Sequence, residues 1–437
     1  MDVAQTLPVA VEPRIAVRML LILVFAVLLV NIRFNAFRTV SMDRFANFQA
    51  DSQALVDQKA YEVFTRGHLD PARGFLVKSK TMEVERIAER FPAGAPADGE
   101  IYRSQFGLQG ALVAMFQSMF RLRPAVTLSI CETLMAAATA GVLMLVISGL
   151  LRRGGPFVAG VASLAFAFNP IVVQAGRNLY WAIPLIMLPL VMCWRIYEAR
   201  GAGESALRTA FPVVMGLVFL KCLCGYEYIT CLCLGPAVAL AAVWASGDFE
   251  KPTLFLRHAL FLFGAACIGF GVAMIVHFAF VWWAVGDFRA AIDSIMSRAV
   301  AHIGATHTAP LVPEKYQHGV VGLVLMIIKY LTLPGVFLGA EVSIGEGSYI
   351  LLSASFVGMF VFVVLTAFAG CRSYSDWRKF CGPVVVVSLG LLASVSWLVA
   401  ARGHALHHFH LNSMAFLPLI LSFPLALFAS RSIRREG

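Results

Sequence analysis

Near the end of the chain an arginine and four histidines stand close together in Arg402-Gly-His-Ala-Leu-His-His-Phe-His-Leu-Asn. On a helix, His404, His407 and His408 fall at i, i+3 and i+4 and share one face. Three imidazoles so placed can ligate zinc. They can equally donate hydrogen bonds to a phosphate beside Arg402, whose planar fork suits phosphate oxygens. A plain interfacial turn is the third reading. Carboxylates that could act as acid or base come from elsewhere: Asp43 and Asp51 in the first long polar stretch, and Glu227 in Lys221-Cys-Leu-Cys-Gly-Tyr-Glu-Tyr. Glu227 and Tyr226 either contact a polar substrate or belong to an aromatic belt at a membrane surface. Arg103 and Gln105 sit in Ile101-Tyr-Arg-Ser-Gln-Phe-Gly-Leu-Gln-Gly, dense in polar groups where an apolar run begins. Arg177 follows the Asn169-Pro170 turn and reads as a phosphate contact or a structural ion pair. Acid and base groups beside an anion pocket are the chemistry these residues offer together.

The elements that must position them are membrane helices. The 437 residues are 59% hydrophobic and 14% charged, with a formal charge of +10, and the mean hydropathy is +0.78. Soluble domains carry about 25% charged residues, so a soluble globule is excluded. Continuous rather than alternating apolar runs exclude a transmembrane β-barrel. The basic residues cluster between apolar runs, as at Arg152-Arg153 and Arg431 to Arg435. That is the positive-inside pattern of cytoplasmic loops and not a nucleic-acid face, so no nucleic-acid partner is expected. The first apolar run lacks a small-residue cleavage site and reads as a retained span.

About ten spans are expected, over 15–37, 124–151, 155–173, 179–197, 209–223, 229–245, 254–285, 348–370, 382–401 and 413–430. With both termini cytoplasmic, this count keeps every basic cluster inside. The stretches 106–120 and 320–338 then read as interfacial or re-entrant helices on the outer side. The expected fold is an all-α polytopic membrane protein: one transmembrane domain over 1–437, a first extracytoplasmic loop over 38–123 and a large one over 286–347. Within the first loop, residues from Asp51 onward read as an amphipathic helix with Ala54, Leu55, Ala60, Tyr61 and Phe64 on its apolar side, lying along the membrane. Asp51 and Ser52 stand where a helix N-cap would, and Gly67 and Pro71 mark its end. The nine cysteines lie mostly in apolar runs; the two C-x-C pairs at 222–224 and 231–233 read as small hydrophobes, with a metal site or disulfides as the rivals. No metal ligand is assigned.

On these motifs the sequence resembles the GT-C superfamily of integral-membrane glycosyltransferases. The matching features run in order: a first span, an outer loop with Asp51 before an interfacial helix, a re-entrant helix from Tyr102 to Phe120, the Asn169-Pro170 turn with Arg177, and a last loop with Arg402, His404 and His408 before the Pro418 span. Tyr102-Arg-Ser-Gln, Gly225-Tyr-Glu-Tyr and Gly403-His are also similar to bacterial membrane proteins associated with surface polysaccharides. The resemblance implies an inverting transfer of sugar from a polyprenyl-phosphate donor to a hydroxyl on a glycan or lipid acceptor, at the outer face of a bacterial inner membrane. It implies Asp51 as general base with Asp43 as fallback, and Arg402, His404 and Arg177 on the leaving phosphate. Glu227 would orient sugar hydroxyls or a divalent cation, the one cofactor left open. Two rival readings are a transporter or flippase of lipid-linked saccharide and a metal-handling membrane protein. A transporter should carry charge near span centres, where this chain has chiefly Glu132 and His277.

Overall fold

The computed structural model describes residues 13–79, 99–249, 251–303, 313–317, 319–333, 337–344, 347–370, 377–407 and 412–432. Six of its helices are long and apolar enough to cross a membrane: Ile15–Phe34, Pro124–Gly154, Glu204–Cys224, Pro252–Val285, Cys381–Ala400 and Asn412–Ala429. Six such helices suggest a multi-pass membrane protein. Several expected spans are shorter than a bilayer needs, Pro156–Ala167, Ile229–Ala245 and Phe356–Phe368 among them. The stretches expected as interfacial or re-entrant are helices of 13 and 14 residues.

The chain starts with α1 (Pro13–Phe34), the short α2 (Met42–Ala46) and α3 (Ala50–Arg66). A small antiparallel ribbon follows, β1 (Val77–Ser79) with β2 (Gly99–Ile101). Then come α4 (Leu108–Phe120), α5 (Pro124–Gly154), α6 (Pro156–Ala167), α7 (Pro170–Ala175), α8 (Ile183–Arg200), α9 (Glu204–Cys224), α10 (Ile229–Ala245) and α11 (Pro252–Val285). Proline opens α5, α6, α7 and α11, where its missing N–H has no helical partner to lose. The last third comprises α12 (Phe288–Ile303), α13 (Glu314–Gln317), α14 (Gly319–Thr332), a hairpin of β3 (Leu338–Ile344) and β4 (Gly347–Ala354), α15 (Phe356–Gly370), α16 (Trp377–Ala400), α17 (Arg402–His407) and α18 (Leu417–Ser432). The central helices α8, α10 and α18 are buried almost throughout, while α1 and α11 turn large apolar side chains outward, such as Ile22, Leu23, Leu260 and Ile275.

Three expectations change. The run over 155–173 is not one helix: it breaks at Phe168-Asn169, and the Asn169 side chain caps α7 by accepting from Val172 N at 2.9 Å. The run over 348–370 starts as strand β4 and becomes helical only at Phe356. The fold is therefore helical with two short ribbons, because an apolar run alone does not separate strand from helix. In α3 the N-cap is Gln49, at φ 55°, so neither Asp51 nor Ser52 caps it. Its buried face carries Leu55, Val56, Ala60 and Val63 together with Lys59 and Glu62, and Phe64 is 47% exposed. Gly67 ends it as expected, at φ 76°.

Helix direction alternates, and ion pairs form at both ends of the bundle. At one end of the bundle Arg152 and Arg153 meet Glu198, Arg153 meets Asp248, and Arg257 pairs with Glu204. The segments carrying the candidate site residues gather at the other end.

Candidate functional site

The segment after β2 crosses that second end and supplies the site's first wall. Helix α9 ends there, leaving carbonyls that no helical N–H reaches. Gly107 N donates to Leu223 O at 3.0 Å, and Gln109 Nε2 donates to Cys224 O at 2.9 Å and to Tyr180 O at 3.2 Å. Lys221, 1% exposed, donates to Gly225 O at 2.9 Å. These bonds tie residues 105–109, the 176–182 loop and the 225–228 turn into one unit. The chain passes close by at Gly225: a Cβ there would displace the ends of the Gln105 and Glu227 side chains.

Glu227 is buried, and Tyr180 OH donates to its Oε1 at 3.2 Å. Burial, and then the Glu227 carboxylate, push the Tyr180 phenol well above its ordinary range, so it stays a donor at any physiological pH. From α11, His277 donates through Nε2 to the Arg103 carbonyl at 3.2 Å, a bond that requires the proton on Nε2 and leaves Nδ1 an acceptor. The Tyr226 ring lies 5.5 Å from His277, and Phe75, Phe106 and Phe280 stack beneath with centroids 5.1–5.2 Å apart. Four buried atoms of this neighbourhood, Ser104 Oγ, Gln105 Nε2, Tyr226 OH and His277 Nδ1, have no hydrogen-bond partner in the protein. Buried polar groups are almost always satisfied, so these four atoms are the ones here that a group from outside the chain could pair with. Arg103 is exposed beside it.

Two further segments reach this cluster. A chain of ring contacts runs from His404 to Trp397 (5.4 Å), Tyr228 (5.4 Å), Trp181 (5.6 Å) and Tyr180 (5.1 Å). It connects the last loop to Glu227's own partner. His404 is buried and Arg402 half-buried. The side chain of His407 and all of His408 lie outside the described residues, as do His318 and the side chains of Arg298 and His302. From the first loop, Gln53 Oε1 accepts from Leu179 N at 2.9 Å, one residue from Tyr180, and Gln53 Nε2 donates to Asp57 Oδ1 at 3.0 Å.

Asp57 is the acidic residue that the sequence reading passes over. It is half-buried. Burial, reinforced by the Glu132 carboxylate and opposed by the Gln53 bond, raises its carboxyl to about 8. The usable signal is its i, i+4 spacing from Gln53, on a helix whose neighbours Leu55 and Val56 are buried. Asp51 and Asp43 are exposed. Asp51 Oδ1 accepts from Ser52 N at 2.8 Å, and Asp43 Oδ1 from Asn47 Nδ2 at 2.8 Å.

Arg177 belongs to a different set. It pairs with Glu132 at 3.3 Å, which also pairs with Arg33 at 3.2 Å, and its guanidinium lies 4.2 Å from the Phe45 ring centroid. Thr133 and Ser129 hydroxyls accept from Arg33 at 3.0 Å each. This network joins α1, α2, α5 and the 176–182 loop. A third set, Lys59, Glu62, Arg66 and Arg73, is built on α3. Among the described residues no group of three or more His, Cys, Asp or Glu is placed to hold a metal ion. Cys222, Cys224, Cys231 and Cys233 are buried free thiols. The chain matches no family model, no curated protein and no solved structure.

Proposed function

We propose that the protein is a membrane glycosyltransferase that moves a sugar from a polyprenyl-phosphate donor to an acceptor hydroxyl at the extracytoplasmic face, with inversion at the sugar carbon. The observation that carries this reading is the gathering of Arg103, Gln105, Tyr180, Tyr226 and Glu227 with His404 at one end of the bundle, around buried polar atoms that have no partner in the chain. Sugar hydroxyls are donors and acceptors at once. They suit a site offering the Gln105 amide donor, the Tyr226 and Ser104 hydroxyls, the His277 Nδ1 acceptor and the Glu227 carboxylate. The leaving phosphate gains charge as its bond to the sugar breaks; Arg103 and Arg402 supply the positive field for it, and the His404 imidazole a hydrogen bond.

Asp57 is the base in this reading, with Asp51 and Asp43 as the surface alternatives. It takes the proton of the acceptor hydroxyl as that oxygen attacks the sugar carbon; the phosphate leaves with the bonding pair. Gln53 holds the carboxyl while its own carbonyl is fixed by Leu179 N. Basic clusters at the opposite end of the bundle favour a cytoplasmic placement of that end, and hence of both termini.

The test uses purified protein and a synthetic polyprenyl-phosphate sugar. Glu227→Gln and Arg402→Ala should each lower transfer by about 10²-fold while the variants still fold. Full transfer in both, or none by the wild type with any sugar tried, overturns the proposal.

A further inference from the structure

A second feature lies at the far end of α4, away from the polar cluster. A cavity of about 270 Å³ opens between the C-terminal ends of α3 and α4, lined by Val63, Phe64, Gly67, Gln117, Ser118 and Arg121. No carboxylate lines it, and the Arg121 side chain is exposed. Gln117 is 1% exposed; its Nε2 donates to Leu122 O at 2.6 Å, and its Oε1 has no partner in the protein. The pocket therefore offers one cation and one buried acceptor. Beside it α4 turns out an apolar stripe, Leu112, Met115 and Met119 with Phe120, each more than half exposed.

The depth of this cavity follows from the helix that comes next. Helix α5 has 31 residues, with Arg123 at its N-cap and Arg152 and Arg153 in its last turn. It is roughly 46 Å long at 1.5 Å per residue. A bilayer with its headgroups is about 40–45 Å thick. The two arginine-bearing ends of α5 accordingly reach the two headgroup layers, and Arg121 stands at the level of lipid phosphates with the apolar stripe facing acyl chains.

We propose that the cavity between α3 and α4 holds the headgroup of an anionic, hydroxyl-bearing glycerophospholipid of the surrounding bilayer. The phosphate lies against Arg121, a headgroup hydroxyl donates to Gln117 Oε1, and the acyl chains run along Leu112, Met115 and Met119. Phosphatidylglycerol has all three parts. A choline head has no donor for Gln117 and sets a cation beside Arg121. Phosphatidylmethanol keeps the charge but lacks the hydroxyl. The site is separate from the proposed sugar-transfer cluster and holds whether or not the protein transfers sugar.

The experiment is native mass spectrometry of the delipidated full-length protein titrated with phosphatidylglycerol, phosphatidylmethanol or phosphatidylcholine. Wild type should bind phosphatidylglycerol about tenfold more tightly than phosphatidylcholine, with phosphatidylmethanol between them. Arg121→Gly removes the guanidinium at a position whose φ of 49° suits glycine, so the fold is spared. It should erase the preference over phosphatidylcholine, whereas Arg121→Lys keeps most of it. Gln117→Leu should erase only the preference over phosphatidylmethanol. Soluble glycerol 3-phosphate at equal concentration should not displace the lipid. Equal wild-type binding of the three lipids overturns the proposal without need of any variant. Unchanged preference in Arg121→Gly, or full displacement by glycerol 3-phosphate, overturns it as well.

Discussion

On the proposed mechanism, Asp57 ties sugar transfer to pH. Its carboxyl titrates near 8 because burial and the Glu132 charge disfavour the anion. A base must first lose its proton, so transfer should climb from pH 6 to 9 with its midpoint near 8. Asp57→Asn should lower transfer by about 10²–10⁴-fold and remove that climb, and Asp51→Asn should leave it in place; a rate profile across this range checks both. Stability runs the other way. Between the ordinary carboxyl value of 3.8 and about 8 the unfolded chain is ionised while folded Asp57 is neutral. The stabilising effect of neutral Asp57 is whole below that window and lost through it as pH rises. In the sequence, Glu227, Tyr226, Arg103 and Gln105 stand out as polar groups at the ends of apolar runs, and the fold brings these four segments into one neighbourhood. Asp57 did not stand out, because a carboxylate in a charged amphipathic helix looks solvated until the packing of that helix is known. Lys59 and Glu62 escaped notice for the same reason, each less than 2% exposed and paired at 3.3 Å.

Elements were legible where hydropathy decides them. Helices α1, α5, α9, α11, α16 and α18 fall on long apolar runs, and no other regular structure leaves so few backbone groups bare in hydrocarbon. The hairpin of β3 and β4 was not legible. Tyr349-Ile-Leu-Leu is apolar and adjoins the α15 run, and its pairing with residues 338–344 depends on partners that local pattern does not contain. Helix α4 packs so tightly that one methyl group tests it. A Cβ at Gly110 would run into the Phe75 carbonyl and Leu76. Gly110→Ala should therefore destabilise the fold by about 1–3 kcal/mol, read as a lowered melting temperature in detergent, and should weaken any transfer in parallel by shifting Gln105 and Gln109.

For the molecule as a whole, paired charges tie the helices together at both ends of the bundle. Basic clusters between apolar runs predict a common end for Arg152, Arg153 and Arg257, and there these three pair with Glu198, Asp248 and Glu204. The Glu132 network joins segments from the first and second hundred residues into one body. Removing its carboxylate leaves Arg33 and Arg177, 11% and 20% exposed, facing each other without an anion. Glu132→Gln should cost about 3–5 kcal/mol, and adding Arg33→Gln should recover part of that loss; thermal unfolding of the single and double variants measures it.

The break between α6 and α7 has its own consequence for how the chain is assembled. Gly339 N donates to Phe168 O at 2.9 Å and Asn169 Nδ2 donates to Phe337 O at 2.7 Å, so this early apolar segment is finished by Phe337, 168 residues on, and by the strand that follows it. Until the ribosome has delivered that strand, the interrupted segment keeps a bare carbonyl and a bare amide, both expensive in lipid. The early part of the protein stays incompletely bonded until its own distant sequel arrives.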